Sequence, residues 1–371
     1  MTVISNSTQR IASLDVFRGL TIILMILVNS QGNQYPYPIL EHASWNGCTL
    51  ADVVFPSFLF IVGLTSVISL NRNRANQDDN VYGAIVRRSL LLFALGLFLN
   101  IFPTHIYLSS LRFYGILQRI AFCYLVSSMI YLKTSTKTQM LIFLAILWGY
   151  WLMMTQVPVP GFGANQLTVE GNWVSYVDQM IFSSAHLLGK VYDPEGLFST
   201  IPSIATTLSG VLTGNLLLAS MSNQKKFYLM MMLGIISILL GWSWSYSFPI
   251  NKNLWTSSFV LWTSGFALIV FALCYLFIDI LNYKRWSLPF KIFGMNALFA
   301  FTFHVILLKL QFVFYFTLND GSKGNMKAML TEYWFGSYSN PNAALFYSIL
   351  FLFINFLVVS FLYKKKIFIR L

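Results

Sequence analysis

Long apolar segments recur along the chain, and short polar segments separate them. A helix that crosses a bilayer needs roughly 20 apolar residues, because unpaired backbone groups are costly in hydrocarbon. The segments that meet this requirement lie at about 13–33, 49–70, 85–103, 112–132, 138–157, 198–220, 227–247, 255–281, 290–312 and 342–363. The pattern predicts an all-α, polytopic membrane helix bundle with about ten transmembrane helices.

Composition supports the membrane class. The chain of 371 residues is 57% hydrophobic and 10% charged, whereas soluble domains contain roughly 25% charged residues. Aromatic residues make up 17% of the chain, as expected if Trp and Tyr lie at the membrane interfaces. The first apolar segment is too long for the core of a signal peptide, so we interpret it as a retained helix.

Basic residues predict the orientation of the bundle, since Lys and Arg accumulate on the cytoplasmic side. With a cytoplasmic N-terminus, the inner segments contain Arg10, Arg18, Arg72, Arg74, Arg87, Arg88, Lys133, Lys137, Lys225, Lys226, Lys284, Arg285, Lys291, Lys364, Lys365, Lys366 and Arg370. The outer segments contain only Arg112, Lys190, Lys252, Lys309, Lys323 and Lys327. Both termini are therefore predicted to be cytoplasmic, and the net charge of +12 is assigned to anionic headgroups and not to nucleic acid.

A single domain covering residues 1–371 is predicted, with outer loops at about 34–48, 158–197 and 313–341. Apolar residues in 171–188 have near-helical spacing and indicate an interfacial helix. The three cysteines have no paired spacing, so neither a disulfide framework nor a metal site is expected.

The loop before the second span carries the strongest candidate chemistry. Thr49 can cap that span, which places Asp52 in its first turn, where the loop containing His42 returns to the membrane. An imidazole oriented by a carboxylate can take a proton from a nucleophile and return one to a leaving group. The alternative is an interfacial loop whose His42 and Trp45 only anchor the chain at the headgroups.

The other candidates are polar residues that a membrane segment usually avoids. Arg18 lies three residues after Asp15, so it can form a structural ion pair with Asp15 or contact a ligand. Asn29 can stabilise helix packing or belong to a functional site. Arg119, Asn296 and His304 fall within predicted spans, and each has a structural and a functional interpretation.

Several motifs resemble the heparan-α-glucosaminide N-acetyltransferase family of transmembrane acyltransferases. They are SLDVFRGLTIILMILVN (13–29), HASWNGCTLADVVFPSFLF (42–60), RFYGILQR (112–119), YDPEGLFSTIPSI (192–204), FPINKNLW (248–255) and GMN (294–296). The resemblance implies that acetyl-CoA in the cytoplasm donates an acetyl group to the amine of a glucosamine-like amino sugar on the periplasmic side. His42 matches the catalytic histidine of the family, Asn29 and Asp52 match polar neighbours of it, and Asn46 belongs to the same motif.

Lysosomal members carry a large lumenal domain before the first matched helix, whereas this sequence begins about a dozen residues before it. The resemblance therefore indicates a short, bacterial-type member in the inner (cytoplasmic) membrane. Its implied co-substrate is acetyl-CoA, with no metal. The residues leave two routes open: His42 accepts the acetyl group itself, or it deprotonates the acceptor for direct attack.

Guanidinium groups bind phosphates well, so Arg18, Arg87, Arg88 and Arg119 are the residues predicted to contact CoA. The residues predicted to bind the acceptor are Trp45, Asp193, Glu195, Lys252, Asn253, Trp255, Asn296 and His304. Besides acetyl-CoA and the amino-sugar acceptor, the expected partners are the lipid bilayer and a second copy of the chain in a homodimer. Two other classes stay open: a secondary transporter of a small solute or sugar, and a non-catalytic membrane scaffold.

Overall fold

The computed structural model describes residues 11–75, 80–103, 107–318 and 321–369. The helices up to the middle of the chain are α1 (Ala12–Asn29), α2 (Leu50–Ala75), α3 (Val81–Ile101), α4 (Ile116–Lys133), α5 (Thr136–Gln156), α6 (Trp173–Ile181) and α7 (Leu197–Leu218). The remaining helices are α8 (Asn223–Trp244), α9 (Ser257–Tyr275), α10 (Leu288–Met295), α11 (Ala297–Gln311), α12 (Met326–Phe335) and α13 (Asn340–Lys364). A π-helical turn, Leu276–Ile280, extends α9.

The spans agree with the apolar segments of the sequence. In the described part of the chain, nine helices are long and apolar enough to cross a membrane, and α10 with α11 forms a tenth, broken candidate. The predicted all-α, polytopic membrane fold is thereby confirmed. The only sheet in this part of the chain is a hairpin of β1 (Tyr315–Thr317) and β2 (Lys323–Asn325).

The ninth predicted span, 290–312, is not one straight helix. It breaks at Asn296, and α10 and α11 are bent by 83° relative to each other. The Asn296 side chain donates to the backbone oxygen of Ile367 at 3.0 Å and accepts from the backbone N–H of Ile369 at 3.1 Å. The break thus serves to hold the segment that follows α13.

Close helix crossings fix the scaffold. A Cβ atom at Gly19 of α1 would lie 1.7 Å from the backbone oxygen of Phe290 in α10, and one at Gly294 would lie 1.7 Å from that of Asp15. Such backbone contact is typical of membrane helices that pack through small residues. Because α1 and α10 touch here, α11 begins beside α1 and can form part of the same wall.

The predicted interfacial helix is present but shorter than the segment 171–188. It is α6, which begins after Asn172, whose side chain accepts the backbone N–H of Ser175 at 2.9 Å. A short 3-10 helix follows at Ser184–His186. We call the end of the bundle where α1 ends and α2 begins the His42 face, and the other end the opposite face.

The orientation of these faces in the bilayer stays a prediction of the charge pattern. Among the basic residues used for it, Arg10 and Arg370 lie outside the described residues, as do the side chains of Arg72 and Arg74.

Candidate active site

Asp52 organises the loop that carries His42. Its side chain is almost fully buried in the first turn of α2. One carboxylate oxygen, Oδ2, accepts the backbone N–H groups of Ala43 at 3.0 Å and Thr49 at 3.1 Å, together with the Thr49 hydroxyl at 3.2 Å. The loop from 43 to 49 is therefore closed around this carboxylate, as the ten-residue spacing of His42 and Asp52 allows.

The second carboxylate oxygen of Asp52 holds the imidazole. The distance from Asp52 Oδ1 to His42 Nδ1 is 2.8 Å. Since an ionised carboxylate only accepts hydrogen bonds, Nδ1 carries the proton, and in the uncharged imidazole Nε2 then carries the lone pair. The His42 side chain is 50% exposed, so this lone pair is accessible. The predicted meeting of His42 and Asp52 is present in the structure.

The loop 249–256 covers the His42 loop. The Gly47 N–H donates to the backbone oxygen of Ile250 at 2.7 Å, and the Asn251 side-chain amide donates to Asn46 Oδ1 at 3.1 Å. These bonds place Lys252 beside the imidazole. Its Nζ lies 3.1 Å from His42 Nδ1 and 3.4 Å from Asp52 Oδ1. Asn46, predicted to be catalytic, is thus a link between two loops.

A cavity of about 730 Å³ begins at His42 and extends towards the opposite face. Its polar lining at the His42 face is Asn29, His42, Glu195 and Lys252. At the other end, its polar lining is Arg18, Thr65, Ser69, Arg88 and Tyr124. Arg18 and Asn29 are eleven residues apart in α1, which corresponds to about 16 Å of helix. One cavity therefore connects the imidazole to two arginines.

The middle of the cavity is apolar. Its lining there includes Val54, Phe58, Ile61, Leu92, Leu117, Ile120, Leu298 and Phe301. These side chains come from α2, α3, α4 and α11. Such a passage can accept a thin, weakly polar chain, whereas charged groups are favoured only at its ends.

Three of the arginines predicted to bind CoA differ in whether their side chains reach the cavity. Arg18 Nη1 contacts Asp15 Oδ1 at 3.3 Å and the backbone oxygen of Gly294 at 3.1 Å, and its side chain still lines the cavity. Arg88 lines the cavity and lies 4.8 Å from the ring centroid of Tyr124. Arg87 is exposed and does not reach the cavity. Consecutive helical residues point about 100° apart, so Arg87 and Arg88 face different surroundings, and the contact of Arg87 with CoA stays a prediction.

At the His42 face, Arg112 forms ion pairs with two carboxylates of the segment between α6 and α7. It binds Asp193 Oδ2 through Nε at 2.7 Å and Asp193 Oδ1 through Nη2 at 2.6 Å, and it also binds Glu195. Burial would lower the pKa of Arg112, but the two carboxylates outweigh it and raise the pKa above its usual range. Asp193 is fully buried in its pair with Arg112 and does not line the cavity, so the structure gives it a structural role, and its contact with the acceptor stays a prediction. Glu195 lines the cavity.

Asp178 of α6 holds the same segment through hydrogen bonds to its backbone. Its carboxylate accepts the backbone N–H groups of Asp193 at 3.1 Å and Leu197 at 3.2 Å. Burial raises the pKa of Asp178 to about 6, although these N–H groups favour the ionised form. A Cβ atom at Gly196 would lie 2.1 Å from Asp178 Oδ2, so a larger residue there would displace this carboxylate. Glu195 is thereby held at the cavity.

Arg119 lies near the His42 face and outside the cavity. Its guanidinium donates to the backbone oxygen of Gly196 at 3.0 Å and to the Ser199 hydroxyl, and it lies 5.0 Å from the ring centroid of Trp255. Trp255 is fully buried, and its indole N–H donates to the Thr206 hydroxyl at 3.0 Å. Arg119 Nε and Nη1 are buried without a hydrogen-bond partner among the described residues. Neither Arg119 nor Trp255 lines the cavity, and their predicted contacts with CoA and with the acceptor stay predictions.

Four further predicted acceptor residues do not line the cavity. Trp45 donates to the backbone oxygen of Leu167 at 2.9 Å, and Asn253 is half-buried elsewhere in the 249–256 loop. Asn296 holds the C-terminal segment, and His304 is buried against Phe301 and Phe351. Both Asn296 and His304 are buried within the bundle, and their predicted acceptor contacts stay predictions that this cavity does not support.

Sequence reasoning missed several contributors. Arg112 was counted only as an outer basic residue, although its place beside an apolar segment could have indicated a buried partner. Thr65, Ser69 and Tyr124 carry no signal in the sequence, because nothing distinguishes them from other polar residues on membrane helices. Among the described residues, no group of three or more His, Cys, Asp or Glu side chains could hold a metal ion.

Comparison with known proteins agrees with the resemblance. The family model described as "Heparan-alpha-glucosaminide N-acetyltransferase, catalytic" matches residues 10–248. The human heparan-alpha-glucosaminide N-acetyltransferase is 31% identical over 369 residues, covering 84% of this chain and 55% of that protein. The mouse protein of the same name is 31% identical over 360 residues, covering 81% of this chain and 54% of that protein.

The chain thus spans about half the length of these curated relatives. The matched region contains His42, Asp52, Arg18, Arg88 and Glu195, whereas Lys252 lies just beyond the family match. Family match, identity and coverage agree with the motifs named in the sequence. The chain belongs to the heparan-alpha-glucosaminide N-acetyltransferase catalytic family.

Proposed function

We propose that this protein is a transmembrane N-acetyltransferase of a bacterial inner membrane. It transfers an acetyl group from cytoplasmic acetyl-CoA to the amine of a glucosamine-like amino sugar on the periplasmic side. The observation that carries the proposal is the cavity of about 730 Å³ that links His42 to Arg18 and Arg88. Relatives named as N-acetyltransferases support the reaction type. The homodimer stays a prediction.

The opposite end of the cavity suits the phosphates of CoA. Guanidinium groups form paired, charge-assisted hydrogen bonds with phosphate oxygens. Arg88 Nε is buried and has no hydrogen-bond partner among the described residues, so it has a donor to offer a ligand. The thin pantetheine arm fits the apolar middle of the cavity, which brings the thioester towards His42.

The lone pair on His42 Nε2 provides the base. The acceptor amine nitrogen attacks the thioester carbonyl carbon, so a C–N bond forms while the C–S bond breaks. The amine gives a proton to Nε2, and that proton passes to the leaving sulfur, which departs as the thiol. In the alternative route Nε2 attacks the thioester carbon first, so an N–C bond forms, the C–S bond breaks and CoA leaves as the thiolate. The amine then attacks the acetyl carbon, the bond to Nε2 breaks, and the proton lost by the amine passes to the thiolate. Both routes need the same neutral imidazole held by Asp52.

The His42 face suits a cationic acceptor. Glu195 lines the same cavity as His42 and forms an ion pair with Arg112. Asn29 is exposed at the end of α1 and also lines the cavity. Its amide is placed to donate to the oxygen of the tetrahedral intermediate, an interaction whose loss typically costs about 2.7–4 kcal/mol of barrier.

Labelled acetyl transfer in proteoliposomes tests the function. With acetyl-CoA supplied on the side of Arg18 and glucosamine on the other, we expect N-acetylglucosamine to form and free thiol to appear in equal amounts. Acetyl-CoA supplied only on the His42 side should give no product from sealed vesicles. Glucosamine uptake without thioester cleavage would instead support the secondary transporter and overturn the proposal.

Arg88 and Arg87 provide a matched pair for the donor end. We expect Arg88→Gln to raise the KM for acetyl-CoA by about tenfold, since charged hydrogen bonds contribute about 1.5–3 kcal/mol. Arg87→Gln removes the same charge from the neighbouring position, which is exposed, and should leave KM unchanged. Initial rates at varied acetyl-CoA measure both. Equal effects of the two variants would contradict the donor site, because charge at the membrane surface alone would then explain the change.

A further inference from the structure

Three charged or titratable groups meet at the His42 face. His42 Nδ1 lies 2.8 Å from Asp52 Oδ1, Lys252 Nζ lies 3.4 Å from the same oxygen, and Nζ lies 3.1 Å from Nδ1. The three atoms form a closed triangle. Asp52 is almost fully buried, and the Lys252 side chain is 17% exposed, so the contacts are only partly screened by water.

We infer that Lys252 is a positioning residue that keeps His42 uncharged and therefore basic at Nε2. This inference rests on the proposed function, because an uncharged imidazole is needed for either route of acetyl transfer. It assigns Lys252 to the charge state of His42, which differs from the acceptor contact expected from the sequence.

The argument begins with Asp52. A buried carboxylate needs a positive counter-charge, since the loss of hydration penalises an unpaired ion. With Asp52 and His42 alone, the imidazolium would be that counter-charge, and a protonated Nε2 cannot act as a base. Lys252 supplies a permanent positive charge to the same oxygen. The pair of Asp52 and Lys252 is then neutral, and a second positive charge on the ring is disfavoured.

The hydrogen-bond directions agree with this role. Because Nδ1 donates its proton to Asp52, it has no lone pair for the Lys252 ammonium at 3.1 Å. The distance from Nζ to Nε2 is 3.4 Å, longer than an ordinary hydrogen bond. The ammonium therefore faces the ring without taking up the Nε2 lone pair. The bonds from Ile250 and Asn251 to the His42 loop hold Lys252 in place.

The other titratable groups around His42 do not replace Lys252. Glu195 lines the same cavity but is paired with Arg112, and the Glu41 side chain is exposed to solvent. Burial and the Asp52 carboxylate raise the pKa of Cys48 to about 12, so this thiol stays neutral. Within the described residues, Lys252 is the cation that contacts Asp52 besides His42 itself.

The test replaces Lys252 with methionine, which has a similar length and no charge. In Lys252→Met we expect the acidic limb of the acetyl-transfer rate profile to move about one to two pH units upward, the range typical for loss of a charge at this distance. At neutral pH the rate should fall about tenfold or more, and it should recover as the pH is raised. Lys252→Arg keeps the charge and should keep the limb in place.

A matched control is Lys323→Met, which removes a positive charge from the exposed hairpin and should leave the profile unchanged. If Lys252→Met lowers the rate equally at every pH, Lys252 only supports the loop and the inference is overturned. Movement of the limb to lower pH would overturn it as well.

A second measurement does not depend on acetyl transfer. Diethyl pyrocarbonate reacts with an imidazole in its uncharged form and not in its protonated form, and mass spectrometry of the peptide containing His42 reports the rate of modification of this residue at each pH. We expect the profile of Lys252→Met to move upward by the same one to two pH units. An unmoved profile contradicts the role of Lys252. A moved profile in a protein without transferase activity instead contradicts the proposed function alone.

Discussion

Replacing His42 with alanine is expected to lower the rate of acetyl transfer by about 10²–10⁴-fold, the usual contribution of general acid–base catalysis. His42 Nε2 is the accessible base at the end of the cavity, and alanine leaves the amine without a group to accept its proton. The KM for acetyl-CoA should change little, because Arg18 and Arg88 line the other end of the cavity, and Arg18 lies about 16 Å along α1 from Asn29 at the His42 face. Transfer of labelled acetyl groups in proteoliposomes measures both constants.

Glu41→Gln is the control for this variant. Glu41 is the neighbouring residue, its side chain is exposed, and the loop uses its backbone oxygen, which accepts the Thr49 hydroxyl at 2.6 Å. Its activity should stay within about twofold of the parent, as expected for a surface substitution. If His42→Ala keeps more than half of the activity, the assignment of His42 as the base is wrong.

Filling the middle of the cavity should have a comparable effect without touching a polar residue. Leu92 of α3 lines the cavity and is 6% exposed. In Leu92→Trp the indole occupies the space through which the donor must extend. Because the donor then has to displace the indole to reach His42, we expect the transfer rate to fall about a hundredfold, which corresponds to about 2.7 kcal/mol of activation free energy. His42 should still react with diethyl pyrocarbonate as it does in the parent.

Leu91→Trp provides the matched control, since Leu91 is 40% exposed and does not line the cavity. The same residue is introduced one position earlier, on the outer side of α3. We expect full activity and a thermal unfolding temperature close to that of the parent. Normal transfer by a well-folded Leu92→Trp would show that the donor does not pass through this cavity.

Local apolar patterns in the sequence were sufficient to predict the helices that span the membrane. Nine of the predicted spans correspond to single helices within a few residues, because a long apolar segment satisfies its backbone in hydrocarbon whatever its neighbours are. The break at Asn296 was not predicted. The Asn296 side chain at the break bonds to Ile367 and Ile369, about 70 residues away, and no local pattern in the sequence indicates such partners.

The pair of His42 and Asp52 was also within reach of sequence reasoning. The residues are close in the chain, and the start of a helix fixes where its first turn lies relative to the preceding loop. Lys252 was predicted only at the outer entrance of a span, as a contact for the acceptor, and not beside this pair. Its contact with Asp52 joins residues 200 positions apart, and no local preference determines such a distance.

What the sequence by itself determined is the class of protein, its spans and the imidazole–carboxylate pair, since each depends on composition or on neighbours along the chain. Tertiary structure decided which polar residues share a cavity. Arg87 and Arg88 are equivalent in the sequence, yet one is exposed and the other lines the cavity. Adjacent helical residues point about 100° apart, and only the packing of α3 against its neighbours decides which of them faces the cavity.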